Sequence, residues 1–212
     1  MTAQAPAIDY YFSFISLWSY VGSLAFRDIV ARHAVTVRYK PVDLYALFAA
    51  GGGKPVRERP LGRQAYRLVE MERWKASRGI PLVTRPKFYP AEPSLGHRML
   101  LAAIEENGNV EAFAHAGLKA VWADELNVED TETLVRLAEA SGLDGRHLLA
   151  RASEALFSRQ EEALTAEAIR LRLFGAPFYI YRGEHFWGQD RLDQLDHAIA
   201  SGRPPILPSE NP

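Results

Sequence analysis

The 212-residue chain contains no cysteine. It therefore forms no disulfide, offers no thiolate to a metal and does no redox chemistry on a sulfur of its own. There is no run of about 18 apolar residues, which excludes a membrane-spanning helix. Met1-Thr2-Ala3-Gln4-Ala5-Pro6 has neither a basic n-region nor an apolar h-region, so no secretory signal is expected and a cytoplasmic location is. Charge excess is missing too: a net charge of −1 argues against non-specific nucleic-acid binding. G-x-G-x-x-G, H-E-x-x-H and G-x-S-x-G are all absent. Around Gly53-Lys54 a P-loop would need a glycine where Phe48 stands and a hydroxyl where Pro55 stands. The six histidines are scattered without metal-ligand spacing, and no metal site is expected.

What remains is an ordinary globular composition, 48% hydrophobic and 24% charged, in a chain long enough to bury a core without staples. One stretch breaks the charge balance. From Lys54 to Lys87 ten basic residues face three acidic ones, Glu58, Glu70 and Glu72. Such a stretch is either a solvated helix face or a set of side chains that clamps a small anion such as a carboxylate.

Ile8, Tyr10, Phe12 and Phe14 alternate and predict a first strand. Val21, Leu24, Ala25, Ile29 and Val30 predict a helix over about 18–33, and Val35 to Tyr39 a second strand closed by Pro41. A crossover of that length makes the two strands parallel. An irregular loop at Gly51 to Pro60 follows, then helices at about 62–78, 94–106, 110–123, 130–140 and 144–152. Ser158-Arg159-Gln160-Glu161 has the form of a capping box opening another helix, which Gly175 can close. Phe178–Tyr181 and Glu184–Trp187 predict a hairpin turned at Arg182-Gly183, and a last helix runs from about Arg191 to Ala200. Without the helical middle the order is β-α-β-α-β-β-α, that of thioredoxin. The fold class predicted is α/β, a thioredoxin-like domain (1–43 and 158–212) interrupted by an all-helical subdomain (44–157), with a site in the crevice between them.

Three segments can carry chemistry. The turn Phe14-Ile15-Ser16-Leu17-Trp18-Ser19-Tyr20 presents backbone N–H groups and the positive end of a helix dipole, where thioredoxin-like folds stabilise a thiolate. Ser16 stands at the place of the reactive cysteine; equally, Ser16 or Ser19 can simply cap the helix. In Phe174-Gly175-Ala176-Pro177-Phe178 a cis Ala176–Pro177 bond would leave the Ala176 backbone free to pair with a peptide. In Phe186-Trp187-Gly188-Gln189-Asp190-Arg191-Leu192-Asp193 the residues Gly188 to Asp190 can hold a zwitterionic amino-acid group, or Asp190 can open the last helix.

Together these segments resemble the 2-hydroxychromene-2-carboxylate isomerases and the kappa-class glutathione transferases, which carry F-x-S-P-Y/F-S/A-Y, F-G-V-P-T and F-W-G-x-D-R-L. The likeness spans nearly the whole chain, and F-W-G-Q-D-R-L at 186–192 is its most specific part. It implies a glutathione-dependent cis–trans isomerase, dimeric, acting on an aromatic α-keto acid. The alternatives are a kappa-like transferase and a non-catalytic thioredoxin-fold binding module. The resemblance implies that Ser16 contacts the glutathione sulfur, that Ala176 beside Pro177 pairs with its cysteinyl part, and that Trp187, Gly188, Gln189 and Asp190 hold its γ-glutamyl end. It places Lys54, Arg57 and Tyr89 near the substrate. Leu17 and Trp18 replace the usual proline and tyrosine, and Gly53 and Glu92-Pro93 depart from the family pattern, so the substrate pocket differs more than the glutathione pocket.

Overall fold

The computed structural model describes residues 7–209. Residues 1–6, the segment without a signal-like pattern, lie outside them. No helix among the described residues is long and apolar enough to cross a membrane.

Strand β1 (Ala7–Phe12) is covered on both faces. Its side chains alternate, so Ile8, Tyr10 and Phe12 enter a large core while Tyr11 enters a smaller one with Val42, Leu47, Ala168, Leu173 and Phe178. Helix α1 (Leu17–His33) crosses back to β2 (Thr36–Pro41), and the two strands pair in parallel, Tyr10 opposite Tyr39. On the other side of β1, β3 (Phe178–Tyr181) runs antiparallel and continues into β4 (Glu184–Trp187), giving the order β2-β1-β3-β4. Arg182 (φ 53°) and Gly183 (φ 84°) make the tight turn, with the two positive φ values a type I′ hairpin requires. The thioredoxin-type order is thus present.

Between β2 and β3 the chain is helical: α2 (Leu44–Ala50), α3 (Leu61–Arg78), α4 (Ser94–Glu105), α5 (Glu111–Trp122), α6 (Thr131–Ala140), α7 (Gly145–Ala152) and α8 (Ala155–Arg170). Helix α9 (Leu192–Ser201) closes the fold against α1. Gly79 ends α3 in the left-handed conformation, as its place after a helical pattern implies.

Four local expectations need correction. Helix α2 has no counterpart in the sequence reading; its seven residues are too few for a periodic signal, although the Asp43 carboxylate caps it by accepting from the Tyr45 and Ala46 N–H groups. Strand β1 stops at Phe12, because the backbone at Phe14 turns away to bond a side chain of α4. The capping box fails: α8 starts at Ala155 with Glu154 at its N-cap, so Ser158 lies one turn inside and Glu161 points into the core instead. Gly175 does not close that helix either; Arg172 takes the left-handed position (φ 59°) and the Leu173 N–H returns to the Ala168 carbonyl.

Phe14 fixes the turn after β1. Its ring is fully buried, edge-on to Phe113 at 5.9 Å and to the His97 imidazole at 5.2 Å. A Cβ added at Gly96 of α4 or at Gly117 of α5 would lie 2.6 Å from a ring atom. The ring therefore occupies a slot that exists only because both helices carry glycine there. An alanine in a helix normally gains about 1 kcal/mol over glycine. Gly117→Ala should instead destabilise by about 1–3 kcal/mol through overpacking, whereas Gly62→Ala on α3, where a Cβ meets nothing within 4 Å, should not destabilise. Urea denaturation of the two variants reads the difference in sign.

Candidate functional site

The segments singled out in the sequence meet at the N-terminal end of α1. Ser16 is the N-cap of that helix, buried, with its hydroxyl accepting from the Ser19 N–H at 3.2 Å. The same hydroxyl donates to the Ala176 carbonyl at 3.1 Å, across 160 positions of sequence. Capping and convergence on the second segment are therefore properties of one side chain. No acidic residue stands in the first turn of α1, so the positive end of its dipole is not neutralised from within.

The Ala176–Pro177 bond is cis. The Ala176 carbonyl is engaged by Ser16, which corrects the expectation that both backbone groups are free; the Ala176 N–H has no partner among the described residues. Pro177 in turn accepts from the Gly188 N–H at 3.0 Å. Gly188 has φ 94° and ψ 152°, a region essentially closed to other residues, and a Cβ there would sit 2.5 Å from the Asp190 carboxylate. Gln189 is buried, its Cβ against Gly22 of α1 and its amide oxygen accepting from Arg78 Nη2 at 3.0 Å. Trp187 is half exposed, lying beside Gly175 and packed on Phe174 at 4.6 Å. Asp190 does not cap α9; residues Gln189–Arg191 form a single 3₁₀ turn, and the carboxylate pairs with Arg191 at 2.9 Å.

Ser16, Ala176, Pro177, Gly188 and Gln189 are thus brought together, with Trp187 and Asp190 at the rim. Lys54 and Arg57 are not. Both are exposed, Lys54 giving only its backbone carbonyl to Arg59, and Arg57 lying 3.7 Å from Glu58. Tyr89 packs on Trp122 at 4.7 Å and neighbours Tyr45, whose hydroxyl is pushed up to about 12 by burial and by Tyr89.

A cavity of about 520 Å³ opens beside Ile15, lined by Leu44, Tyr45 and Ile169 and by the acids Asp43, Glu92, Glu161 and Glu162. Beneath it lies an arrangement that sequence reasoning missed. The Phe14 N–H donates to His97 Nε2 at 3.2 Å. A backbone N–H can only donate, so Nε2 accepts and the ring proton sits on Nδ1, 2.8 Å from Glu161 Oε1. Ser94 donates to the other Glu161 oxygen, and the Ser13 hydroxyl also meets Nε2 at 3.3 Å. Burial opposes the Glu161 charge, but the hydrogen bonds from His97 and Ser94 outweigh it and hold the carboxyl below the usual range. The network pins the backbone two residues before Ser16. Its partners stand 84 and 64 positions apart, and no spacing signal links them.

A thioredoxin-type sheet, a cis-proline loop facing a serine at the start of the first helix, and the lack of any cysteine define a thioredoxin-fold protein without redox sulfurs. The chain belongs to the DSBA-like thioredoxin domain family, whose model matches residues 7–200, and within it to the 2-hydroxychromene-2-carboxylate isomerase family. It is 31% identical over 199 residues to such an isomerase from Pseudomonas putida, covering 91% of this chain and 93% of the relative. With that of Sphingobium xenophagum it shares 29% over 196 residues, 91% and 97% of the two chains. The solved structure of a 2-hydroxychromene-2-carboxylate isomerase superposes with a TM-score of 0.77 at 26% identity, over 92% of this chain and 95% of that one.

The depressed pKa of Glu161 ties the turn to pH. A carboxyl lowered in the folded state stabilises above its unfolded pKa of about 4.3 and loses that contribution as pH falls through the folded value. Glu161→Gln should therefore cost about 1–3 kcal/mol at pH 7, with the gap to wild type narrowing below about pH 4. Denaturation midpoints across pH 3–8 check both the size and the sign.

Proposed function

We propose that this chain is a glutathione-dependent cis–trans isomerase of the 2-hydroxychromene-2-carboxylate type. The observation that carries the reading is the Ser16 hydroxyl, held at the start of α1 beside the cis Ala176–Pro177 loop in a chain with no cysteine. The residues fit the cofactor. The buried Ala176 N–H without a partner suits the cysteinyl backbone, and the Gly188 cradle, which a Cβ would fill, suits a close approach by the γ-glutamyl group beside Gln189, Asp190 and Trp187. A relative from Caenorhabditis elegans, 23% identical over 214 residues, is a kappa-class glutathione transferase, which supports the same cofactor.

When bound, glutathione supplies a thiolate that can add to a conjugated double bond, allow rotation and leave again. Ser16 and the helix terminus supply the environment for that charge. A free thiol of pKa about 8.5 is only about 3% ionised at pH 7. A shift of about two units, worth roughly 2.7 kcal/mol, raises this to about 75%. Ser16 can donate to a sulfur by rotating away from Ala176, a bond of ordinary length and neutral partners. The His97–Glu161 pair keeps the turn in place while this happens. A homodimer in the cytoplasm, where glutathione is kept reduced, is part of the same proposal.

Three measurements test it. Millimolar glutathione should raise the melting temperature of the purified protein; no shift at any concentration would sink the cofactor assignment and leave a binding module. With glutathione present, the enzyme should interconvert 2-hydroxychromene-2-carboxylate and its open α-keto acid, and regenerate the tripeptide; a stable conjugate would indicate a transferase. Ser16→Ala should lower turnover by about 10- to 100-fold (about 1.4–2.7 kcal/mol) while glutathione binding stays within a few fold. Full activity in that variant would remove the serine from the mechanism.

A further inference from the structure

Within that reading, the carboxylate of the substrate needs a cationic partner, and neither Lys54 nor Arg57 is built to be one. The cavity beside Ile15 is lined by four acids and would repel an anion. On the far side of Tyr45 the electrostatics reverse. Arg67 is half-buried, with its guanidinium 5.4 Å above the Trp122 ring and Nη1 3.3 Å from Met71 Sδ. Arg59 lies 5.4 Å over the Phe48 ring and spends one N–H on the Lys54 carbonyl. Neither guanidinium has a carboxylate within ion-pair distance among the described residues. Burial lowers the pKa of both, and a neighbouring cation adds to it in each case, Arg63 for Arg59 and Arg59 for Arg67. Partly buried cations of like sign without a counterion are a favourable place for an anion to bind.

Their position fits the site. The Phe48 ring reaches Gly175, where an added Cβ would stand 3.7 Å from its edge, so Arg59 borders the cis-proline loop through one aromatic ring. Arg67 and Arg78 lie eleven residues apart on α3, about 20° apart around the helix and about 16 Å along it. Arg78 holds Gln189 at the end assigned to glutathione. Arg67 stands at the opposite end of the same helix face, with Met71 and Trp74 between. Arginine is the side chain suited to a planar carboxylate, because its fork can donate two parallel hydrogen bonds.

We propose that Arg59 and Arg67 form the clamp for the substrate carboxylate, Arg67 held over Trp122 beside the Tyr89 ring and Arg59 over Phe48. The aromatic body of the substrate then lies among Tyr45, Phe48 and Tyr89, between the clamp and Ser16. This assignment rests on the isomerase reading for the identity of the anion, but the anion site itself does not.

The test uses 2-hydroxybenzoate as an inert aromatic carboxylate and its neutral amide as the uncharged counterpart, with binding measured by titration calorimetry on the full chain. Wild type should bind the acid at least 10-fold more tightly than the amide. Arg67→Gln and Arg59→Gln should each weaken the acid by 10-fold or more and leave the amide unchanged. Arg67→Met retains the packing on Trp122 should the glutamine variant not fold, and Arg67→Lys should restore only part of the affinity. In turnover the arginine variants should raise KM with kcat little altered, and the glutathione-induced melting shift should persist. Unchanged acid binding in both arginine variants, loss of it only in Lys54→Ala/Arg57→Ala, or no saturable binding of the acid to wild type would each overturn the clamp. An intact clamp in a protein that takes up no glutathione would instead overturn the isomerase reading and leave the anion site standing.

Discussion

The geometry of the site depends on how Phe14 is held. Its ring fills a slot made by two glycines on α4 and α5, and its N–H is accepted by a histidine on α4. Both contacts come from the helical stretch between β2 and β3, not from the sheet. The loop that carries Ser16 is thereby fixed by elements more than 80 residues away in sequence. A fully buried aromatic ring contributes roughly 3–5 kcal/mol against truncation, enough to keep a short turn in one conformation. That rigidity matters because a hydroxyl at a helix start influences a neighbouring charge only at hydrogen-bond distance.

Ser16 makes two hydrogen bonds of different kinds with one hydroxyl. As N-cap it accepts from the Ser19 N–H, leaving its own proton to donate. In this structure that proton goes to the Ala176 carbonyl. A serine hydroxyl has one donor and two acceptor lone pairs, so capping and donation use different parts of the group. A cysteine at the same position would bring its own sulfur; in the proposed reading the serine would polarise one brought to it. The dipole, the cis-proline loop and the glycine at 188 thus surround a hydroxyl in a chain that has no thiol.

Much of the fold was legible in the sequence, for identifiable reasons. β1, β2 and the β3–β4 hairpin alternate strongly or carry β-forming aromatics, and α3 to α7 have clear 3.6-residue periods ended by residues such as Gly79 and Gly142. Features set by tertiary contact were not legible. Ser158-Arg159-Gln160-Glu161 has the right letters for a capping box, yet Glu161 gains more by pairing with buried His97 than by closing a helix end. Helix α2 is too short to show a period. In the site, the segments around Ser16, Ala176 and Gly188 were legible because each sits at a transition between elements, where backbone groups lack partners within a helix or sheet. Arg59 and Arg67 were visible only as two of ten basic residues; what separates them is half-burial on Phe48 and Trp122, which sequence does not report. Lys54 and Arg57 attracted attention by loop position, and the structure leaves both in solvent.

Charge divides the region around Ser16 in a way that constrains any substrate. Toward α8 the wall is acidic, with Glu161 committed to His97 and Asp43 to the cap of α2. Toward α3 it is cationic and aromatic. An anion placed on the acidic side would meet like charges, Asp43, Glu92 and Glu162 at the surface and Glu161 buried beneath them. The proposed clamp accordingly directs the carboxylate of an aromatic acid toward α3, with its ring against Tyr45 and Phe48. Arg78 on the same helix secures Gln189, so in the proposed arrangement one helix face, from Arg67 to Arg78, would set the distance between the substrate carboxylate and the glutathione end.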